Sequence, residues 1–118
     1  MEHDIFKIRE AVTLKLRQLN VNEANKPFVY LREAVVQHML NPGAIYGSWC
    51  KQVLPSVAQN CGGVAVSVVE NSLARACSDA WYADDGKTVR KVLGQGIGGT
   101  KPPKVRMMVI WIANSINL

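Results

Sequence analysis

Between Val69 and Ala80 the residues Val69, Leu73, Ala76, Cys77 and Ala80 recur three or four positions apart, and similar spacing returns through most of the chain. That period lays side chains along one stripe of an α-helix, whereas a half-buried strand needs strict alternation, and no alternating run of strand length stands out. The fold class expected is all-α, a compact multi-helix domain. With 118 residues, 48% of them hydrophobic and 19% charged, the chain can bury one core and is poorly suited to disorder. Residues 1–118 are therefore expected to form a single domain.

The stripes place the helices. Ile5, Ile8, Val12, Leu16 and Leu19 define a first helix that ends near Asn20, Val21 and Asn22. Pro27, with its φ already helical, should open a second that runs to Leu40, with Leu31, Ala34, Val35, His38 and Met39 on its inner side. Asn41, Pro42 and Gly43 stop it, and Ile45, Trp49 and Val53 mark a third. A short helix from Pro55 breaks at 60–63. Ser67 and Glu70 then match a capping box, in which the serine oxygen accepts from a backbone N–H while the glutamate reaches back to the cap. The helix they begin should end near Trp81. A short helix around Thr88 to Val92 and a last one from about Pro103 to Ile116 complete the set; Val105, Met108, Val109, Ile112, Ala113 and Ile116 share one side of the last.

Several function classes drop out. Cys50, Cys61 and Cys77 are odd in number and lack C-x-x-C spacing, and His3 and His38 stand apart from any cysteine pair. Neither a disulfide framework nor a metal site is expected, and free thiols fit a cytoplasmic protein. The N-terminus mixes both charge signs without an apolar core, so it is no signal peptide. The longest greasy run, Met107 to Ala113, is far shorter than the roughly 20 residues of a membrane span. The glycine loop Gly94 to Gly99 follows no strand and lacks a Lys-Ser/Thr pair, so it does not make a nucleotide cradle. Ser48 and Ser67 have no histidine nearby in sequence, and the carboxylates are scattered, so no catalytic residues, cofactor or small-molecule substrate are expected.

What remains is a layout and a charge. A short helix carrying Ala58, a break with Gly62 and Gly63, and a helix over about residues 67–82 have the order of a helix-turn-helix, whose second helix presents its outward residues to the major groove. That outward face carries Val68, Asn71, Ser72, Arg75, Ser78 and Asp79. Arginine pairs bidentately with guanine, asparagine with adenine, and valine or serine meets a thymine methyl or a polar edge. The formal charge is +5, and residues 84–118 hold six cations, Lys87, Arg90, Lys91, Lys101, Lys104 and Arg106, against Asp84 and Asp85. This basic end could clamp phosphates beside a nearly neutral reading helix.

The blocks YLREAV (Tyr30 to Val35), KQVLPSVA (Lys51 to Ala58), VVENSLARACSDAW (Val68 to Trp81) and the closing LGQGIGGTKPPKVRMMVIWIA resemble, in that order, the C-terminal effector domain of stage zero sporulation protein A. The similarity spans about Leu14 to Leu118. It implies an all-helical, helix-turn-helix domain that binds promoter DNA, typically as tandem copies, and regulates transcription in bacterial sporulation. Three departures accompany it. The family's reading helix is rich in arginine, whereas Val68, Asn71 and Ala74 stand at the positions that look equivalent, with Arg75 beside them. The turn through Cys61, Gly62 and Gly63 is about one residue longer. The chain begins at Met1 with no room for a receiver domain, so a stand-alone domain without receiver control is expected.

The expected partner is double-stranded DNA, with base contacts from Val68, Asn71, Ser72 and Arg75 and phosphate contacts from Lys87, Arg90, Lys91, Lys101 and Lys104. The alternative is an interaction module that kept the scaffold and lost DNA reading, with antagonism of a full-length regulator as a role it would suit. Met107, Ile110 and Trp111 add apolar surface beyond the main stripe of the last helix, which must then be buried in the core, in a partner or both; burial in a partner marks them for a homo-oligomer interface.

Overall fold

The computed structural model describes residues 5–41, 49–94 and 102–116. They form six α-helices: α1 (Ile5–Gln18), α2 (Lys26–Leu40), α3 (Leu54–Asn60), α4 (Val66–Tyr82), α5 (Lys87–Leu93) and α6 (Val105–Asn114), with a π-helical turn at Trp49–Val53 leading into α3. No strand occurs among the described residues, and the all-α expectation holds.

The helices are arranged around α2, which packs against α1, α3, α4 and α6. Its sequence explains this position. Phe28, Tyr30, Leu31, Glu33, Ala34, Val35, Val36 and His38 are all buried, and they cover most of the helix circumference. A helix that is apolar nearly all round is stable only inside other elements. Ile8, Val12, Leu16 and Leu19 of the first segment, the inner stripe of α4 from Val69 to Trp81, and Met108, Val109 and Ile112 of α6 close over it in one continuous core. Trp81 and Phe28 are its largest fully buried side chains.

The one carboxylate in this core is Glu33, 4% exposed. Arg9 of α1 grips it with two parallel hydrogen bonds, from Nε at 3.2 Å and Nη2 at 2.8 Å, and Arg32 Nε stands 3.7 Å away. A buried carboxylate is tolerable only when paired and hydrogen-bonded in this way. The pair fixes α1 on α2, and the bond to Glu33 raises Arg9 further above its already high pKa. His38, also buried, is shifted the other way: loss of solvent lowers its pKa and holds the ring neutral.

Turn chemistry sets the breaks. After α1, Asn20 adopts φ 64° and the Val21 N–H reaches back to the Leu16 carbonyl at 3.1 Å, the stop expected at this asparagine. After α3, Gly62 and Gly63 have φ 99° and 76°. The Gly63 N–H bonds to the Ala58 carbonyl at 2.9 Å and the Gly62 N–H to that of Gln59 at 3.4 Å, the paired bonds of a Schellman stop.

Three expectations are corrected. The helices expected around Trp49 and from Pro55 run on without a break, because the wider π turn lies where the Pro55 ring would otherwise crowd the carbonyl four residues back; Ile45 lies outside the described residues. The Ser67 capping box does not form. Helix α4 starts one residue earlier, with Ala65 as N-cap and no side-chain cap bond, so Ser67 is already inside the first turn. Val64 and Val69 instead occupy the positions of a hydrophobic staple, and both pack into the core. The last helix is shorter than expected at both ends. Pro102 and Pro103 hold the approach extended, and Ser115 closes the end by donating its hydroxyl to the Ile112 carbonyl at 2.7 Å.

At the far end of α4, Gly86 (φ 82°) lies against the Trp81 indole so closely that an added Cβ would stand 2.7 Å from Cζ2. The Gly86 N–H bonds to the Trp81 carbonyl at 2.7 Å, and the Arg90 guanidinium covers the indole at 4.9 Å from its centroid. Asp84 caps α5 by accepting from the Thr88 amide and hydroxyl, which pulls its carboxyl below the usual range, and Asn20 donates to the same hydroxyl. Thus α5 is fastened to α4 and to the α1–α2 turn.

Two stability predictions follow from these contacts. Removing the partner of a buried carboxylate costs about 3 kcal/mol, so Arg9→Ala should lower the urea midpoint more than Glu33→Gln, which removes the buried charge itself. Gly86→Ala should lose about 2 kcal/mol or more, since it combines left-handed strain of about 1–2 kcal/mol with the overlap on Trp81. Gly94→Ala, also at positive φ but with open space around it, should lose only the strain; equal melting losses for the two variants would discount the indole contact.

Candidate nucleic-acid interface

The short helix α3, the turn at 61–65 and the longer helix α4 stand in the order of a helix-turn-helix. Ala58, 4% exposed, supplies the small residue on α3, which packs against α4. The two sides of α4 differ sharply. Val69, Leu73, Ala76, Cys77, Ala80 and Trp81 are buried, and burial pushes the Cys77 thiol up to about 12, leaving it inert as a nucleophile at neutral pH.

The opposite side faces solvent. Val68 and Asn71 are exposed, Ser72 and Ser78 are half-buried, and Arg75 retains 77% side-chain exposure. Arg75 Nε stands 4.0 Å from Asp79 Oδ2, an exposed pair one turn apart that is too weak to hold the guanidinium in place. The four residues expected to read bases, Val68, Asn71, Ser72 and Arg75, therefore share one accessible face. Tyr82, 58% exposed at the last turn of α4, also belongs to it, one turn beyond Ser78; the sequence reading ended the helix near Trp81 and did not single it out.

Beside this face runs a groove of about 270 Å³ lined by Trp49, Leu54, Glu70, Asn71, Leu73, Ala74 and Val105. It brings the start of α6 next to the first half of α4. Lys104, exposed and immediately before Val105, thus lies near Asn71, although the two are distant in sequence. On the other side, α5 packs against the C-terminal half of the fold's longest helix and carries exposed Lys87 and Lys91 one turn apart.

Arg90 is placed differently from these lysines. It is half-buried, lies over Trp81 and donates from Nη1 to the Asp85 carbonyl at 3.1 Å, so it supports the α4–α5 corner. Lys101 and most of the glycine loop lie outside the described residues. Of the three residues marked for an oligomer interface, Ile110 is 6% exposed and belongs to the core; Trp111 is half-buried and Met107 is 40% exposed. Of the two fates left open for Ile110, core burial is the one observed, because α2 and α1 both pack on α6 and cover a wider arc than one stripe.

A second cleft, of about 330 Å³, opens between the end of α2 and the π turn with α3, and Lys51 lines it. Among the described residues, no group of His, Cys, Asp and Glu is arranged to hold a metal, and no helix is long and apolar enough to cross a membrane.

No curated protein matches the chain. The family model described as Sporulation initiation factor Spo0A C terminal matches residues 12–116, taking in all of α2 to α6 and the second half of α1. The resemblance carried by the YLREAV and VVENSLARACSDAW blocks is confirmed, and those blocks are the central helix and the solvent-facing helix of this fold. The chain belongs to the family of sporulation initiation factor Spo0A C-terminal domains, which are DNA-binding effector domains of transcription regulation and not enzymes.

Proposed function

We propose that the protein regulates transcription by inserting α4 into the major groove, with Asn71, Ser72 and Arg75 contacting base edges and Val68 contacting a thymine methyl. The observation that carries this reading is the division of α4 into a fully buried side and an accessible side on which those four residues stand together. The helix is 17 residues long, about 25 Å, and the major groove is about 12 Å wide, so one half of α4 suffices to cross the bases while the rest reaches the backbone.

The phosphate clamp is built from Lys87 and Lys91 of α5 and Lys104 ahead of α6, with Lys101 joining them on the sequence evidence alone. Arg90 contributes through its support of the corner. Lysines fit this role because phosphate contacts need charge and reach, whereas base reading needs fixed geometry. With a single arginine on the reading face, affinity rests on the clamp and discrimination on Arg75 and Asn71.

The exposure of Met107 beside half-buried Trp111 favours a second element of the reading, a homo-oligomer formed through α6. Two linked domains would raise the affinity of a weak single reading face.

In fluorescence anisotropy on duplex libraries, Arg75→Ala should lose about 1–3 kcal/mol at one preferred base pair, whereas Lys91→Ala should weaken all sequences alike and flatten the salt slope. Uniform loss from Arg75→Ala would remove its reading role. In light scattering, Met107→Glu should convert an oligomer to a folded monomer; a wild-type protein already monomeric at high concentration would remove the α6 interface.

A further inference from the structure

The cleft between α2 and α3 has polar lining from Gln37, Asn41, Lys51, Gln52, Ser56 and Gln59. These side chains supply an ammonium, amides and a hydroxyl, all able to donate hydrogen bonds, and among the described residues no carboxylate lines the cleft. Such a donor set without a competing acid suits a singly charged anion. Lys51 is also the only Asp, Glu, Lys or Arg between Leu40 and Val69, a stretch that covers the whole of α3 and the turn into α4.

The position of the cleft narrows the choice of anion. Gln52, Ser56 and Gln59 lie along the π turn and α3, the helix that comes first in the helix-turn-helix order. When the second helix of such a motif enters the major groove, the first crosses the sugar-phosphate backbone. We infer that this cleft is a seat for a DNA phosphodiester, with Lys51 supplying the charge and Ser56, Gln52 and Gln59 the hydrogen bonds. The inference rests on the proposed insertion of α4. It adds to the C-terminal lysines a phosphate contact on the opposite arm of the motif, so the backbone is held on both sides of the reading helix. Neutral donors on α3 orient the phosphate, and one ammonium neutralises it.

The test is anisotropy titration of random duplex DNA at about 50 and 200 mM salt with the wild-type protein, Lys51→Gln, Lys51→Arg, Ser56→Ala and Lys7→Gln. Lys7 is an exposed lysine on α1, which makes it a control for general loss of charge. Each neutralised phosphate contributes about 0.9 to the slope of log affinity against log salt, so Lys51→Gln should bind several-fold more weakly at the lower salt and lose about 3.5-fold of that deficit at the higher. Lys51→Arg should retain the slope, Ser56→Ala should weaken binding without changing it, and Lys7→Gln should behave as wild type. A wild-type slope in Lys51→Gln, or an equal loss in Lys7→Gln, while the wild-type protein binds DNA would overturn the seat and leave the reading helix standing. Absence of wild-type binding at either salt would overturn the proposed function and the seat together.

Discussion

The fold depends on the burial of α2. A helix with apolar side chains around most of its circumference cannot rest on a surface, so α1, α3, α4 and α6 must enclose it. The same enclosure traps Glu33, and the cost of holding a carboxylate there is offset by the two bonds from Arg9. That pair adds direction to a core which is otherwise non-directional: greasy contact alone would let α1 slide or rotate on α2, whereas a bidentate guanidinium admits one register.

Around this centre, the breaks between helices are made by backbone geometry more than by side-chain caps. The stops after α1 and α3 each rely on a residue in the left-handed region and a long reach back into the last helical turn. Helix α4 begins with no capping side chain, so its start is set by the glycine turn behind it and by the valines that pack under it. The orientation of the solvent-facing side of α4 is consequently a property of the core and the turn together.

Most of this architecture was legible in the chain. The three-and-four spacing located α1, α2, α4 and α6, while the short α3 and α5 were placed from Pro55 and from the breaks around them; the residues chosen for the inner side of α4 are all buried, because burial on one stripe is what that spacing encodes. The capping box failed as a signal because Ser67 and Glu70 satisfy a local pattern, while the start of the helix is decided by contacts with α3 and the core that a local pattern does not contain. The π turn was hidden because Pro55 reads as a helix start whether or not helix precedes it. In the candidate site, periodicity indicated that Val68, Asn71, Ser72 and Arg75 share one side of α4, and local charge singled out Lys87 and Lys91, which are exposed. Lys104 near Asn71, the Arg90 stack on Trp81 and the Lys51 cleft each require two segments to meet in space, which no single window of sequence reveals.

The separation of the two sides of α4 has a consequence for how such a domain changes over time. Val68, Asn71 and Arg75 project into solvent, and the one ion pair among them is the loose Arg75–Asp79 contact. Exchanging them disturbs stability by no more than about 0.5 kcal/mol, the usual range for surface positions. On the proposed reading of DNA by this face, target preference and folding are therefore nearly independent variables: mutation can explore new outward residues without compensating changes beneath them, while the scaffold stays the same.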